Sequence, residues 1–147
     1  MVTVSDLQKL PVRVALFCLI THLEMTMADA IRRENVSSAE WIRRLSDPRQ
    51  GALRKRVNEA KDKDIEMDHL LYTEFCDKVT ILRKSSHFRT RKTGFKNDMN
   101  AIRDLRDRIA HANDYATESV DVKKLSAVVA NIEHWTNFLA DWPEPSV

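Results

Sequence analysis

Leu10-Pro11-Val12-Arg13-Val14-Ala15-Leu16-Phe17-Cys18-Leu19-Ile20-Thr21-His22-Leu23-Glu24 opens the longest apolar stretch of the chain, and helical spacing continues to Glu34. On a helical wheel, Val14 to Ile20 is apolar on every side. That pattern suits a central helix packed by neighbours or by a second subunit. His22, Thr26, Asp29 and Arg33 form the one polar stripe, while Glu24 falls among Phe17, Met27 and Ile31. The apolar run ends at His22 and Glu24, short of the roughly 20 residues a bilayer requires, and no signal-peptide cleavage site follows. A buried helix is expected, with no membrane partner.

Working outward, the remaining segments also read as helices. Ser37 with Glu40 has the spacing of a capping box, opening a short helix through Trp41 and Leu45. Asp47-Pro48 reads as a cap followed by proline at the first helical position, leading through Leu53 and Val57. Residues 58 to 68 alternate acids and lysines, as a solvated helix end or loop does. Asp68 to Lys84 carries Leu71, Phe75, Val79 and Leu82 at core spacing. Asn97 or Asp98 is the expected cap of a fifth helix running to about His111. Asp121 is the expected cap of a sixth, with Leu125, Val128, Val129, Ile132, Trp135 and Leu139 inward and Pro143 beyond its end. With only two glycines and four prolines in 147 residues, a many-stranded β protein is excluded. The expected fold is an all-α, mainly antiparallel bundle of five to six helices. Residues 10–142 form one domain, after a leader or domain remnant at 1–9 and before a tail at 143–147.

Cys18 and Cys76 both sit inside apolar helical patterns, where cysteine behaves as a small hydrophobe. Nothing suggests a disulfide framework, so a reducing cytosol is expected. Cys18 and His22 are one helical turn apart, but no further ligand cluster accompanies them. Neither a metal nor a cofactor is expected. Trp41, Trp135 and Trp142 read as packing residues. Net charge is +2, yet Arg83, Lys84, Arg89, Arg91, Lys92 and Lys96 fall within one acid-free run, leaving the rest of the chain at −4. Near-neutral overall charge thus conceals a local anion-binding stretch. The run is interleaved with His87, Phe88 and Phe95 and reads as a loop from Ser85 to Phe95. Such a loop either holds single-stranded RNA by charge and stacking or is anchored to the core by its phenylalanines.

Ile102-Arg103-Asp104-Leu105-Arg106-Asp107-Arg108-Ile109-Ala110-His111-Ala112-Asn113 carries the chemistry. At about 100° per residue, Ile102, Leu105, Ile109 and Ala112 share the core face. His111 lies about 140° from the centre of that face, beside Asp104 and Asp107, so it is a surface histidine rather than a core one. An arginine offers fixed positive charge to a phosphate, and a histidine moves protons near neutral pH. Asp107, four residues before His111, is placed to accept an imidazole hydrogen bond. Glu24, a carboxylate on an apolar face, needs a partner, and Arg106 or Arg103 would serve to orient the arginine.

The string from Leu105 to His111 resembles the signature of the HEPN superfamily of small helical-bundle domains: arginine, a polar residue, three more residues, then histidine, in a late helix. Asp107 occupies a place that is often asparagine. The resemblance implies a metal-independent endoribonuclease acting as a homodimer, with motifs from two subunits lining one cleft on RNA. His111 would transfer protons, and Arg106 would hold the phosphate, with the RNA 2′-hydroxyl as nucleophile. It also implies a toxin or phage-defence role, with an antitoxin as a partner. Some members are inactive, so a non-catalytic helical dimerisation or nucleotide/RNA-binding regulatory module is the alternative. Val2-Thr3-Val4-Ser5-Asp6-Leu7 further resembles the final strand and turn of a CBS-type nucleotide-sensing domain, which would be a second partner. Otherwise these residues cap the first helix.

Overall fold

The computed structural model describes residues 3–35, 37–63, 68–85, 88, 92–111 and 119–142, without the side chains of Val4, Lys92, Ser119 and Val120. Seven α-helices and no strand occur among the described residues: α1 (Val4–Leu7), α2 (Leu10–Glu34), α3 (Ser38–Ile42), α4 (Asp47–Lys61), α5 (Phe75–Arg83), α6 (Lys92–Ala110) and α7 (Ser119–Ala140). A 3-10 turn, His69–Tyr72, precedes α5. The tail at 143–147 lies outside the described residues.

α2 is the axle. Leu16, Ile20, Leu23, Met27, Ala30 and Ile31 are buried against the other helices, which completes the core stripe its sequence implies. Its outer face is different: Leu10, Val14, Phe17 and Met25 are exposed, and so is Cys18. Cys18 is therefore not the core hydrophobe its apolar neighbours suggest. Among the described residues α2 is the one helix long and apolar enough to cross a membrane by length and composition. In the fold, one side of it is the protein core.

Chain direction follows from specific contacts. Arg33, in the last turn of α2, donates to the Leu139 carbonyl at 2.8 Å and the Ala140 carbonyl at 2.7 Å, capping the end of α7. The two helices, which share the largest helix–helix contact, therefore run in the same sense. Asp98 accepts from Asn131 Nδ2 at 2.9 Å and Trp135 Nε1 at 2.8 Å, while Leu105 and Arg108 face Asp121 and Leu125. So α6 runs antiparallel to α7 and to α2. At the α6 start, Phe88 and Phe95 are fully buried with ring centroids 4.5 Å apart, and Phe95 meets Trp135 edge-on at 4.9 Å. Trp41, Trp135 and Trp142 are all buried, as their composition implies.

Several boundaries differ from the sequence reading. α6 begins at Lys92, not at Asn97 or Asp98, because Phe95 packs inward one turn before the expected cap and Asp98 is committed to α7. The expected helix from Asp68 to Lys84 is broken in two. Asp68 caps the 3-10 turn through the Leu70 N–H, Thr73 Oγ1 donates back to the Leu70 carbonyl, and Glu74 with Asp77 forms a new capping box. Ser37 stands at the α3 N-cap but makes no side-chain cap bond, and Ser46 rather than Asp47 is the α4 N-cap. Of the stretch from Val2 to Leu7, Val2 lies outside the described residues and Val4–Leu7 forms a helical turn, not a strand: Thr3 and Asp6 cap it reciprocally, and Leu7 packs on the core.

Candidate active site

α6 is set by its buried stripe of Met99, Ile102, Leu105 and Ile109, so its flanks face outward in a defined way. Arg106 emerges where α2, α5 and α6 meet, with about one-third of its side chain exposed (32%). Its guanidinium sits over the ring of Phe75, 5.5 Å from the centroid, a cation–π geometry. Its two acids stand at a distance: Glu24 Oε2 is 3.7 Å away and Asp107 Oδ1 is 3.4 Å away. These are loose ion pairs, beyond good hydrogen-bond length.

Glu24 is shared with Lys78, whose Nζ donates to Glu24 Oε1 at 3.0 Å and to the Thr73 carbonyl at 2.9 Å. Lys78 is only 5% exposed. Glu24 thus sits between two cations, held closely by Lys78 and only loosely by Arg106. The Lys78 role was missed in the sequence, although the signal was present: Lys78 falls between Phe75 and Leu82 on the α5 core stripe, where lysine requires a partner. Beside the cluster a groove of 270 Å³ opens between α2 and the 3-10 turn, lined by Glu24, Lys78, Thr73, Met25 and Leu71 among others.

His111 follows the last residue of α6 and is exposed; its backbone N–H donates to the Asp107 carbonyl at 3.0 Å. Five residues of helix separate it from Arg106 by about 7.5 Å along the axis and about 140° around it. One chain therefore presents the two side chains on different faces. Because α6 is antiparallel to α2, His111 lies towards the amino-terminal half of α2. Asp107 does not hold the His111 ring as expected. Its carboxylate lies nearer Arg106, whose fixed charge attracts it more strongly than an imidazole does.

The described basic side chains of the 83–96 run do not form one surface. Arg83 and Lys96 line a common groove between α5 and α6. Lys84 turns to the other side and donates to the Arg44 carbonyl. Arg89 and Arg91, and the side chain of Lys92, lie outside the described residues. The interleaved Phe88 and Phe95 are core residues and cannot stack on bases. Arg103, the other expected partner of Glu24, instead contacts Asp104 at 3.4 Å. Burial raises the Cys76 thiol above its ordinary value, with the Asp77 charge adding to the effect, so it stays protonated near neutral pH.

Among the described residues no three His, Cys, Asp or Glu side chains gather as a metal-ligand set. Comparison of the chain with protein-family models, with curated proteins and with solved structures gave no match.

Proposed function

We propose that this protein is a HEPN-type endoribonuclease that cleaves RNA in a cleft shared by two copies of the chain, in the cytosol. The observation that carries the reading is the state of Arg106. It is seated on an aromatic ring yet bound only loosely by Glu24 and Asp107. Such a guanidinium exchanges a distant carboxylate for a phosphodiester, a partner it engages through two parallel hydrogen bonds. RNA supplies its own nucleophile, the 2′-hydroxyl, so catalysis requires orientation, charge stabilisation and proton transfer. Arg106 holds the phosphate and its transition-state charge. His111 moves the proton, a role worth about 10²–10⁴ in rate. The products carry a 2′,3′-cyclic phosphate and a 5′-hydroxyl.

Dimerisation answers the geometric difficulty, because a twofold axis sets Arg106 of one copy towards His111 of the other. The exposed Leu10, Val14 and Phe17, spaced at three and four residues on α2, support an apolar contact with a second copy at the bundle end that bears His111. The test is incubation of purified protein with RNA and chelator, followed by end-group analysis. Cyclic-phosphate ends, abolished by His111→Ala with the helical spectrum retained, are expected. An equally active His111→Ala protein would overturn the assignment.

A non-catalytic binding module is the second reading. It is favoured by the same Glu24 contact, which leaves Arg106 partly neutralised, and it predicts RNA retention without cleavage. Antitoxin control and coupling to a nucleotide-sensing domain belong to the first reading as expectations about partners.

A further inference from the structure

The groove between α5 and α6 is lined by cations without a carboxylate. Its volume is 180 Å³, and the cations are Arg83, Lys96 and Arg103. Arg83 and Lys96 have no ion-pair or hydrogen-bond partner among the described residues, and Arg83 Nε is buried without one. Elsewhere the half-buried arginines are matched: Arg44 by Glu34, Arg49 by Asp77, Arg33 by the α7 carbonyls. A buried, unsatisfied guanidinium nitrogen in an acid-free groove is costly to the apo fold, and an anion relieves it.

The groove and the candidate active site share one residue. Phe75 lines the groove and also carries the Arg106 guanidinium. On α6, Lys96 and Arg103 are two turns apart on one face, about 10.5 Å along the axis, and Arg106 follows about 4.5 Å further. Arg83 faces them from α5. The cations thus form a track of about 15 Å that ends at Arg106, with Asn100 adding a neutral polar group along it. Spaced cations between two helices match the repeating charge of one extended strand. Phe75, the lone aromatic of the lining, is buried, so bases have nothing to stack on.

We infer that the α5/α6 groove binds the sugar-phosphate backbone of a single RNA strand and leads it, without reading sequence, to Arg106. The inference rests on the nuclease reading for its destination, but the binding site can be tested separately. The probe is a labelled 2′-O-methyl oligoribonucleotide of about a dozen nucleotides, which lacks the nucleophile and so reports binding alone. Affinity of the full chain is measured over a range of salt. The triple variant R83Q/K96Q/R103Q is expected to bind at least tenfold more weakly, with a salt slope flatter by about two. The charge-matched triple variant R108Q/K123Q/K124Q, on the α6/α7 side, should stay within twofold of the parent. Asn100→Trp, which fills the groove without changing charge, should also weaken binding.

Equal losses in both triple variants would mean diffuse attraction and overturn the inference, as would unchanged binding in the groove variants. Circular dichroism of each variant separates lost binding from lost fold, and Asn100→Trp carries the test should the triple variant fail to fold. If the parent protein binds through the groove but leaves unmodified RNA intact, the nuclease reading fails and the groove stands. If the parent cleaves RNA and the groove variant cleaves with unchanged KM, the groove fails and the nuclease stands.

Discussion

Two sets of arginines meet the first turn of α5 from opposite neighbours, and they are held in opposite ways. From α4, Arg49 makes paired hydrogen bonds to Asp77 at 2.8 and 2.7 Å and an ion pair with Glu74 at 2.9 Å. Arg56 adds Glu74 and the Tyr72 carbonyl. The Asp77 hydrogen bonds hold the Arg49 guanidinium above its ordinary value, and the Arg56 bond holds the Glu74 carboxyl below its own. From α6, Arg106 reaches the same turn but finds an aromatic ring and two acids at 3.4 and 3.7 Å. Bidentate, short pairs fix a loop to a helix. Long, shared pairs leave a cation able to change partners. The first set ties α4 to the start of α5, whereas Arg106 is left loosely paired.

The widest separation between the sets should come from His111→Ala and Arg106→Ala. Each is expected to lower RNA cleavage by about 10²–10⁴, while unfolding free energy moves by about 1 kcal/mol or less. Cleavage kinetics with urea unfolding on the same samples checks both halves, and a large stability loss would place Arg106 in the scaffold. Asp77→Ala is the converse. It leaves Arg49 without its bidentate acid, and Asp77 is only 5% exposed against 34% for Arg49, so a loss of about 2–4 kcal/mol is expected from the urea midpoint. A midpoint equal to the parent's would reduce the network to a solvated surface pair.

Lys78→Met probes the corner that joins both sets. Removing the buried cation from Glu24 should cost about 1–3 kcal/mol. Adding Glu24→Gln should recover part of that loss, which a double-mutant cycle measures directly; strict additivity would mean that Lys78 and Glu24 do not interact. The smallest effect concerns acid. Because the folded Glu74 carboxyl sits below its ordinary value of 4.5, its contribution is present above that pH and fades as pH falls through the lower folded value. The parent's thermal midpoint should therefore drop more steeply than that of Glu74→Gln across this interval. Parallel curves would remove Glu74 from the scaffold set.

The uneven legibility of the chain has physical causes. α2 was readable to its ends because one long apolar period, bounded by Pro11 and the basic Arg32-Arg33 pair, leaves few alternatives. Leu125, Ile132, Trp135 and Leu139 were readable for the same reason. The break before α5 was not, since Leu71 and Phe75 keep helical spacing across it. The Asp68 cap and the Glu74–Asp77 capping box restart the chain there, and Arg49 and Arg56 from α4 hold those acids in place. The start of α6 was misread because Gly94 and a run of charges look like a loop, whereas Phe88 and Phe95 staple the segment to Trp135. Local pattern located Arg106 and His111, and pairing needs alone pointed to Glu24. The sequence named Arg83 and Lys96 as part of one basic run, but only the packing of α5 on α6 adds Arg103 to them and turns Lys84 away.

The central claim is that a working site takes Arg106 from one copy and His111 from another. Mixing refolded Arg106→Ala and His111→Ala proteins, each inactive alone, tests it most directly. Half of the dimers would then be mixed, each with one intact composite site, and cleavage should return to about a quarter of the parent level. A mixture as inactive as its components, under conditions where exchange of subunits is demonstrated, would contradict the claim.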